Sequence, residues 1–144
     1  MDLGSTFSIS ASGLSAQRLR MDLIAANLAN ANSTETPEGG PYRRQDVVLR
    51  AVASDDPFAS FFSDARGGSA VEVARIVADR SPPRQVYDPG HPNADESGQV
   101  AMPNIDVMSE MVDLMTATRA YEANIAAMDA TRRVLQAALE IGQG

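Results

Sequence analysis

Through the last quarter of the chain, from Asp106 to about Ile141, one apolar seam runs without a Pro or Gly to interrupt it. Val107, Met111, Leu114, Tyr121, Ile125, Met128, Leu135 and Leu139 follow alternating steps of four and three residues, with Thr118 and Arg132 as polar members of the same row. That period predicts one helix with a coiled-coil-like seam. Asn104 or Asp106 is placed to cap its start, and Gly142 follows its end. A helix of about 35 residues is roughly 52 Å long, more than a compact domain of this size encloses. Its seam therefore has to be covered partly by another segment and partly by something outside the chain.

The first segment supplies a partner. Phe7, Ala11, Leu14, Met21, Ala25 and Leu28 repeat the same steps with one break at Arg18, and Ile24 on the adjacent row widens the seam into a stripe. The predicted helix, Phe7 to about Asn32, is roughly 37 Å long. Asn27, Asn30 and Asn32 crowd its end. Asparagine is a poor helix former that prefers caps and turns. The cluster either terminates the helix or, with alanines between the amides, lets a second helix approach closely and hydrogen-bond across the gap.

Between the helices Pro37, Gly39, Gly40 and Pro41 break the first pattern. Four β-prone runs follow: Tyr42 to Val52, Val71 to Val77, Arg84 to Tyr87 and Gly98 to Met102. They predict a small antiparallel sheet or a set of hairpins. The insert at 51–69, polar and Gly-containing, carries Phe58, Phe61 and Phe62, and is expected to be a mobile surface segment that closes over the sheet or contacts a neighbour.

The expected fold is mainly α with a small β module. Residues 1–35 form an N-terminal helix, 36–105 the β-rich module and 106–144 a C-terminal helix. The two helices are expected to form an antiparallel coiled-coil-like hairpin with the β module at one end. Such a shape has much lateral surface and little enclosed volume.

Composition removes several functions. The net charge of -7 and the clustering requirement for Lys and Arg oppose nucleic-acid binding. No Cys occurs, so no thiolate metal site or disulfide forms, and an oxidising compartment carries no risk of mispairing. Met1 to Ser12 has neither the charged start nor the apolar core of a cleavable signal peptide, and no apolar run approaches the ~20 residues that span a bilayer. If the protein leaves the cytoplasm, another export route is required.

A search for chemistry returns no catalytic set. His91 is the only histidine and lies in Tyr87-Asp88-Pro89-Gly90-His91-Pro92, where prolines and glycine force turns. Asp88 and Asp95 nearby give half of a metal site at most, so a hydrogen-bonded turn residue is expected. The pairs Asp55-Asp56 and Asp95-Glu96 lie in polar loops, where a carboxylate stays solvated and ordinary. Glu122 either pairs with Arg119 along the helix or aims at a neighbouring subunit. No phosphate loop, nucleophile elbow or cofactor motif is present.

Leu14-Ser15-Ala16-Gln17-Arg18-Leu19-Arg20-Met21, continuing through Ile24-Ala25-Ala26-Asn27-Leu28-Ala29-Asn30, resembles the N-terminal signature of the flagellar rod, hook and related axial proteins. Thr36-Pro37-Glu38-Gly39-Gly40-Pro41-Tyr42-Arg43-Arg44 and Tyr87 to Asp95 resemble the proximal-rod type within the flagellar rod protein family. Pro103-Asn104-Ile105-Asp106, Glu110-Met111-Val112-Asp113 and Arg119-Ala120-Tyr121-Glu122-Ala123-Asn124 complete the match, which covers nearly all of the chain except 51–69.

The resemblance implies a structural subunit of the basal-body rod, not an enzyme. It also implies export through the flagellar type III apparatus without a cleaved signal, and assembly in the periplasm. The implied partners are other copies of the chain, other rod proteins, the rod-capping factor and the export apparatus. No cofactor is implied. The residues expected at subunit contacts are Leu14, Met21, Ile24, Asn27, Leu28 and Asn30 in the first helix. In the second they are Met111, Leu114, Tyr121, Glu122, Asn124, Ile125 and Met128. The rival reading is a soluble coiled-coil adaptor that binds a single partner helix. An enzyme acting on cell-wall material lacks candidate residues.

Overall fold

The computed structural model describes residues 3–52 and 70–142; the Phe58, Phe61 and Phe62 cluster lies outside the described residues. Helix α1 spans Leu3–Ala29 and helix α2 spans Val107–Gly142. Between them lie β1 (Gln45–Val52), β2 (Ala70–Ala78), β3 (Arg84–Tyr87) and β4 (Gln99–Met102). The strands form two separate antiparallel pairs, β1–β2 and β3–β4.

Side-chain chemistry sets the helix ends. Asn30 stops α1: its Nδ2 donates to Ala26 O at 2.9 Å, and its Oδ1 accepts from Ser33 Oγ at 3.1 Å. The amide thus competes with the helical ladder, as asparagine does at helix ends. Asp106 caps α2, its Oδ1 accepting from Met108 N at 3.0 Å.

The helices pack on each other. Asn27 meets Glu110, Met21 meets Thr118, and Gly13 lies against Asn124, so residue numbers rise along α1 as they fall along α2. The pairing is antiparallel. At 27 and 36 residues the helices are about 40 and 54 Å long. Extended along the same pairing, the start of α1 falls opposite about Leu135, so the last turns of α2 run beyond it.

The β1–β2 ribbon lies along α1 on a second side, from Asn27, which bonds Gln45, to Ser12, whose Oγ accepts from Val71 N at 3.0 Å. This corrects the expectation of a β module at one end of the hairpin. The physical reason is a second packing row on α1, where small Ser12 and Ala16 and then Leu23 let the ribbon approach. Ala16 and Leu23 are buried. On β1, Val47 and Leu49 are the less exposed side chains, alternating with exposed Asp46, Val48 and Arg50. The register pairs Val48 with Arg75 and Leu49 with Val73, leaving Ala74 as a bulge that bends the ribbon.

The β3–β4 hairpin turns through Asp88 to Gly98. Asp95 Oδ1 accepts from Ser97 N and Gln99 N, and His91 Nδ1 accepts from Asn93 N at 3.1 Å. Gly98 has φ +72°, and a Cβ there would stand 2.9 Å from a Tyr87 ring carbon, so only glycine fits. Asn93 Nδ2 donates to Thr34 and Glu35, tying this turn to the exit of α1. Apart from Ala16, midway along α1, the buried apolar residues gather toward one end of the helix pair: Leu23, Ile24, Ala31, Val100, Ile105 and Ala117.

Candidate assembly surface

Three segments meet at the base of the helix pair in a polar latch. Asn27 is fully buried. Its Nδ2 donates to Gln45 O at 2.9 Å and to Glu110 Oε2 at 3.1 Å, while its Oδ1 accepts from Gln45 N at 2.9 Å and Tyr42 Oη at 3.3 Å. Every hydrogen-bonding position of the amide is used. Glu110, 2% exposed, accepts at its other oxygen from Arg44 Nε, and Arg44 reaches Asp46 at 3.2 Å and Asp113 at 3.8 Å. Glu110 stands in the first turn of α2, where the helix dipole also favours a carboxylate.

The latch is electrostatically matched. Burial and then the neighbouring Glu110 carboxylate hold the Tyr42 phenol above its ordinary value. Burial works to lower the Arg44 value, but the bonds to Glu110 and Asp46 outweigh it and the net shift is upward. Arg44 therefore stays charged opposite Glu110.

Along the rest of the pair, α1 covers a different row of α2 from the apolar seam. Besides Asp113 and Ala120, the less exposed positions of α2 are Glu110, Leu114, Ala117, Tyr121, Asn124, Met128, Thr131 and Leu135, again in steps of four and three. Leu114, Tyr121, Met128 and Leu135 belong to both rows. Glu110, Ala117, Asn124 and Thr131 replace Met111, Thr118, Ile125 and Arg132, each one position earlier. Gly13 explains how the helices approach, since a Cβ there would stand 3.2 Å from Asn124 Nδ2. Gln17 Oε1 is buried without a hydrogen-bond partner. Beyond the latch, the helices meet through small and polar groups as well as through the shared apolar row.

The apolar remainder faces outward. Met111 is 47% and Ile125 40% exposed. Thr118, between them in the row, touches Met21 Sδ at 3.6 Å, which places the row beside Met21. Leu14, Met21 and Leu28 lie about 160–200° around α1 from Ser12, which faces the ribbon. The half-buried Leu14, Met21 and Leu28 and the exposed Met111 and Ile125 thus flank one groove on the side away from β1–β2. Met108, Val112 and Met115 form a more prominent ridge, 70%, 55% and 53% exposed.

The remaining expected contacts separate clearly. Ile24 and Asn27 are buried within the chain. Asn30 is half-buried and bonds the backbone at the end of α1, whereas Leu114, Tyr121, Asn124 and Met128 are half-buried along the helix pair. Glu122 is exposed, and among the described residues it forms no ion pair with Arg119. Sequence reasoning missed Glu110, Arg44 and Tyr42 as a group. The available signal was the seven-residue row of Glu110, Ala117, Asn124 and Thr131 running beside the apolar one.

Among the described residues no helix is long and apolar enough to cross a membrane, and no group of three or more His, Asp or Glu side chains is placed to hold a metal. Residues 7–36, covering most of α1, match the family described as flagella basal body rod protein. Residues 96–141, covering nearly all of α2, match the family described as flagellar basal body rod FlgEFG protein C-terminal. Over the full chain the protein is 40% identical to the flagellar basal-body rod protein FlgC of Borreliella burgdorferi, with 100% of both covered. It is 43% identical to the FlgC of Bacillus subtilis over 96% of this chain and 97% of that protein. Against the FlgC of Salmonella typhimurium the identity is 41%, with 99% and 100% covered. The geometry of a long helix pair with an uncovered apolar side and these full-length similarities agree: the chain belongs to the FlgC-type flagellar basal-body rod proteins, and is a structural subunit of the rod that assembles with other rod proteins and not an enzyme.

Proposed function

We propose that the chain builds the proximal part of the rod by packing its terminal helices, in coiled-coil-like fashion, against those of neighbouring subunits. The observation that carries this reading is the groove between α1 and α2. Leu14, Met21 and Leu28 line one side of it and Met111 and Ile125 the other, and the chain leaves the first three half-buried and the last two exposed. Apolar surface kept in water costs about 25 cal/mol per Å² relative to burial, so a neighbouring helix that fills the groove is strongly favoured. The four-three spacing on α2 suits a left-handed crossing of about 20° with such a helix. The tail of α2 beyond α1, with Leu139 63% and Ile141 83% exposed, offers further apolar surface to the same neighbours.

Unlike surfaces meeting around an axis give open-ended growth, and a tube of lengthwise helices resists twisting as a torque-transmitting shaft. Family membership supports placing that shaft in the periplasm, with delivery through the flagellar type III apparatus and addition beneath a rod-capping factor. The absence of Cys is compatible with that compartment.

The test uses Met111→Asp. Met111 is exposed in the isolated chain, so far-UV circular dichroism and the monomer Tm should stay unchanged while basal bodies from the variant strain lack rods. Rods in wild-type number would overturn the reading.

A further inference from the structure

We propose that the groove is filled by α2 of a second copy of this chain, seated by its Met108, Val112 and Met115 ridge in one register and one direction. The inference rests on the reading of the groove as a subunit contact and names its occupant. The ridge points away from its own α1: its three residues lie about 140–200° around α2 from buried Ala117. It therefore cannot enter its own groove. A ridge and a groove on different faces of one chain make a heterologous contact, which a repeating assembly of that chain can satisfy at every step. The groove is continuous with the α1–α2 seam, because the shared row of Leu114, Tyr121 and Met128 forms its floor.

Charge fixes the alignment. Arg18 and Asp22 on α1, and Arg119 and Glu122 on α2, are all exposed, and among the described residues none of the four is in an ion pair. If the neighbouring α2 runs antiparallel to this α1, setting Arg18 opposite the neighbour's Glu122 brings Asp22 opposite the neighbour's Thr118, one position from its Arg119. The same register puts Ala25 opposite Met115, and Leu28 opposite Val112, so a small side chain meets a large one at the first position. A parallel neighbour with Arg18 opposite Glu122 would instead set Asp22 against Ala126 and leave Arg119 unmatched. Each α2 is already antiparallel to its own α1, so the favoured arrangement makes both copies point the same way, as a polar shaft requires. Methionines on the ridge adapt to the irregular groove floor.

The chain has no Cys, which makes disulfide mapping clean. A chain carrying Ala25→Cys with Met115→Cys is expressed in a strain lacking the natural chain, and isolated basal bodies are oxidised. The expected result is a ladder of disulfide-linked multimers on a non-reducing gel, since a bond forms only where Cα atoms come within about 7 Å. The control, Gly13→Cys with Asn124→Cys, lies in the seam between the chain's own helices, and should close within one chain and migrate as monomer. Rods that assemble with the control bond but without the 25–115 ladder would overturn the proposed register and leave the groove reading standing. If the cysteine pair prevents assembly, charge reversal decides. Arg18→Glu and Glu122→Arg should each lower rod yield about tenfold or more by juxtaposing like charges, and the double variant should recover it. A double variant no better than either single one overturns the proposal, whereas normal rods with Met111→Asp would remove the groove itself as a contact.

Discussion

Asn27 on α1 and Glu110 on α2 bond side chain to side chain, Nδ2 to Oε2 at 3.1 Å, across 83 residues of sequence. Both are buried, and Gln45, Tyr42 and Arg44 complete their partners from the segment that leads into β1. The bond therefore couples the end of α1, the start of α2 and the ribbon. Removing one member strands the others, and a buried unpaired group costs more than the bond it lost.

Asn27→Ala should accordingly destabilise the isolated chain by about 3 kcal/mol, because Gln45 loses partners at both N and O. Arg44→Met should cost a similar amount, about 3–5 kcal/mol, by leaving the Glu110 carboxylate buried without its cation. Glu110→Gln should cost less. The double variant Asn27→Ala/Glu110→Gln should lose less than the sum of the two, as expected of groups in one network. Urea midpoints of the purified chains measure this; strict additivity would show that the latch is not a unit.

The Tyr42 phenol predicts an alkaline limb of stability. Its value is raised in the folded chain by burial and by Glu110, so the neutral form is favoured there. For a raised group the contribution is fully present below the unfolded value, 10.0, and is lost as pH rises through the folded value. Thermal unfolding followed from pH 8 upward should show stability falling above about pH 10. Tyr42→Phe should flatten that fall and lower stability below it, where the bond to Asn27 is lost. An unchanged profile in the variant would contradict the assigned cause.

Much of this architecture was legible in the chain. The uninterrupted four-three seam located α2, the asparagine cluster rather than the Pro37 to Pro41 break marked the end of α1 at Ala29, and the β-prone runs located the four strands within a few residues. The covered flank of α2 was not legible. Two rows one residue apart both follow the coiled-coil step, and apolarity points to the row with Met111 and Ile125. The more apolar row is the exposed one, while Glu110, Ala117 and Asn124 turn inward. Asn27 was recognisable as unusual between alanines. Its partners were not, because they lie 18 and 83 residues away and nothing local marks them.

Gln17 gives a prediction about the weaker part of the helix pair. Its Oε1 is buried with no hydrogen-bond donor, so Gln17→Met should raise monomer stability by about 1 kcal/mol by removing an unpaired carbonyl. Chemical denaturation reads the change directly. A loss of stability would show that the amide makes a bond the described geometry lacks.

Ile125 separates the isolated chain from the rod. At 40% exposure it has little burial to lose, so Ile125→Ala should cost the monomer less than about 1 kcal/mol. In the rod the same change should cost roughly 2–5 kcal/mol by opening a cavity at a covered site. Resistance of isolated rods to heat and acid, set beside monomer unfolding, makes the comparison. Equal effects in the two states would mean that the row is an ordinary internal core.

Methionine oxidation reports whether neighbouring subunits cover the outward apolar face of α2 in the rod. Met108, Met111 and Met115 are 70%, 47% and 53% exposed in the chain alone. Mild peroxide treatment converts accessible methionine to sulfoxide, and peptide mass spectrometry gives the rate at each position. Rapid oxidation of all three is expected in the monomer, with about tenfold or greater protection in isolated rods, as solvent is excluded from a packed interface. Equal rates in monomer and rod would show that this face stays in water after assembly and is not a subunit contact.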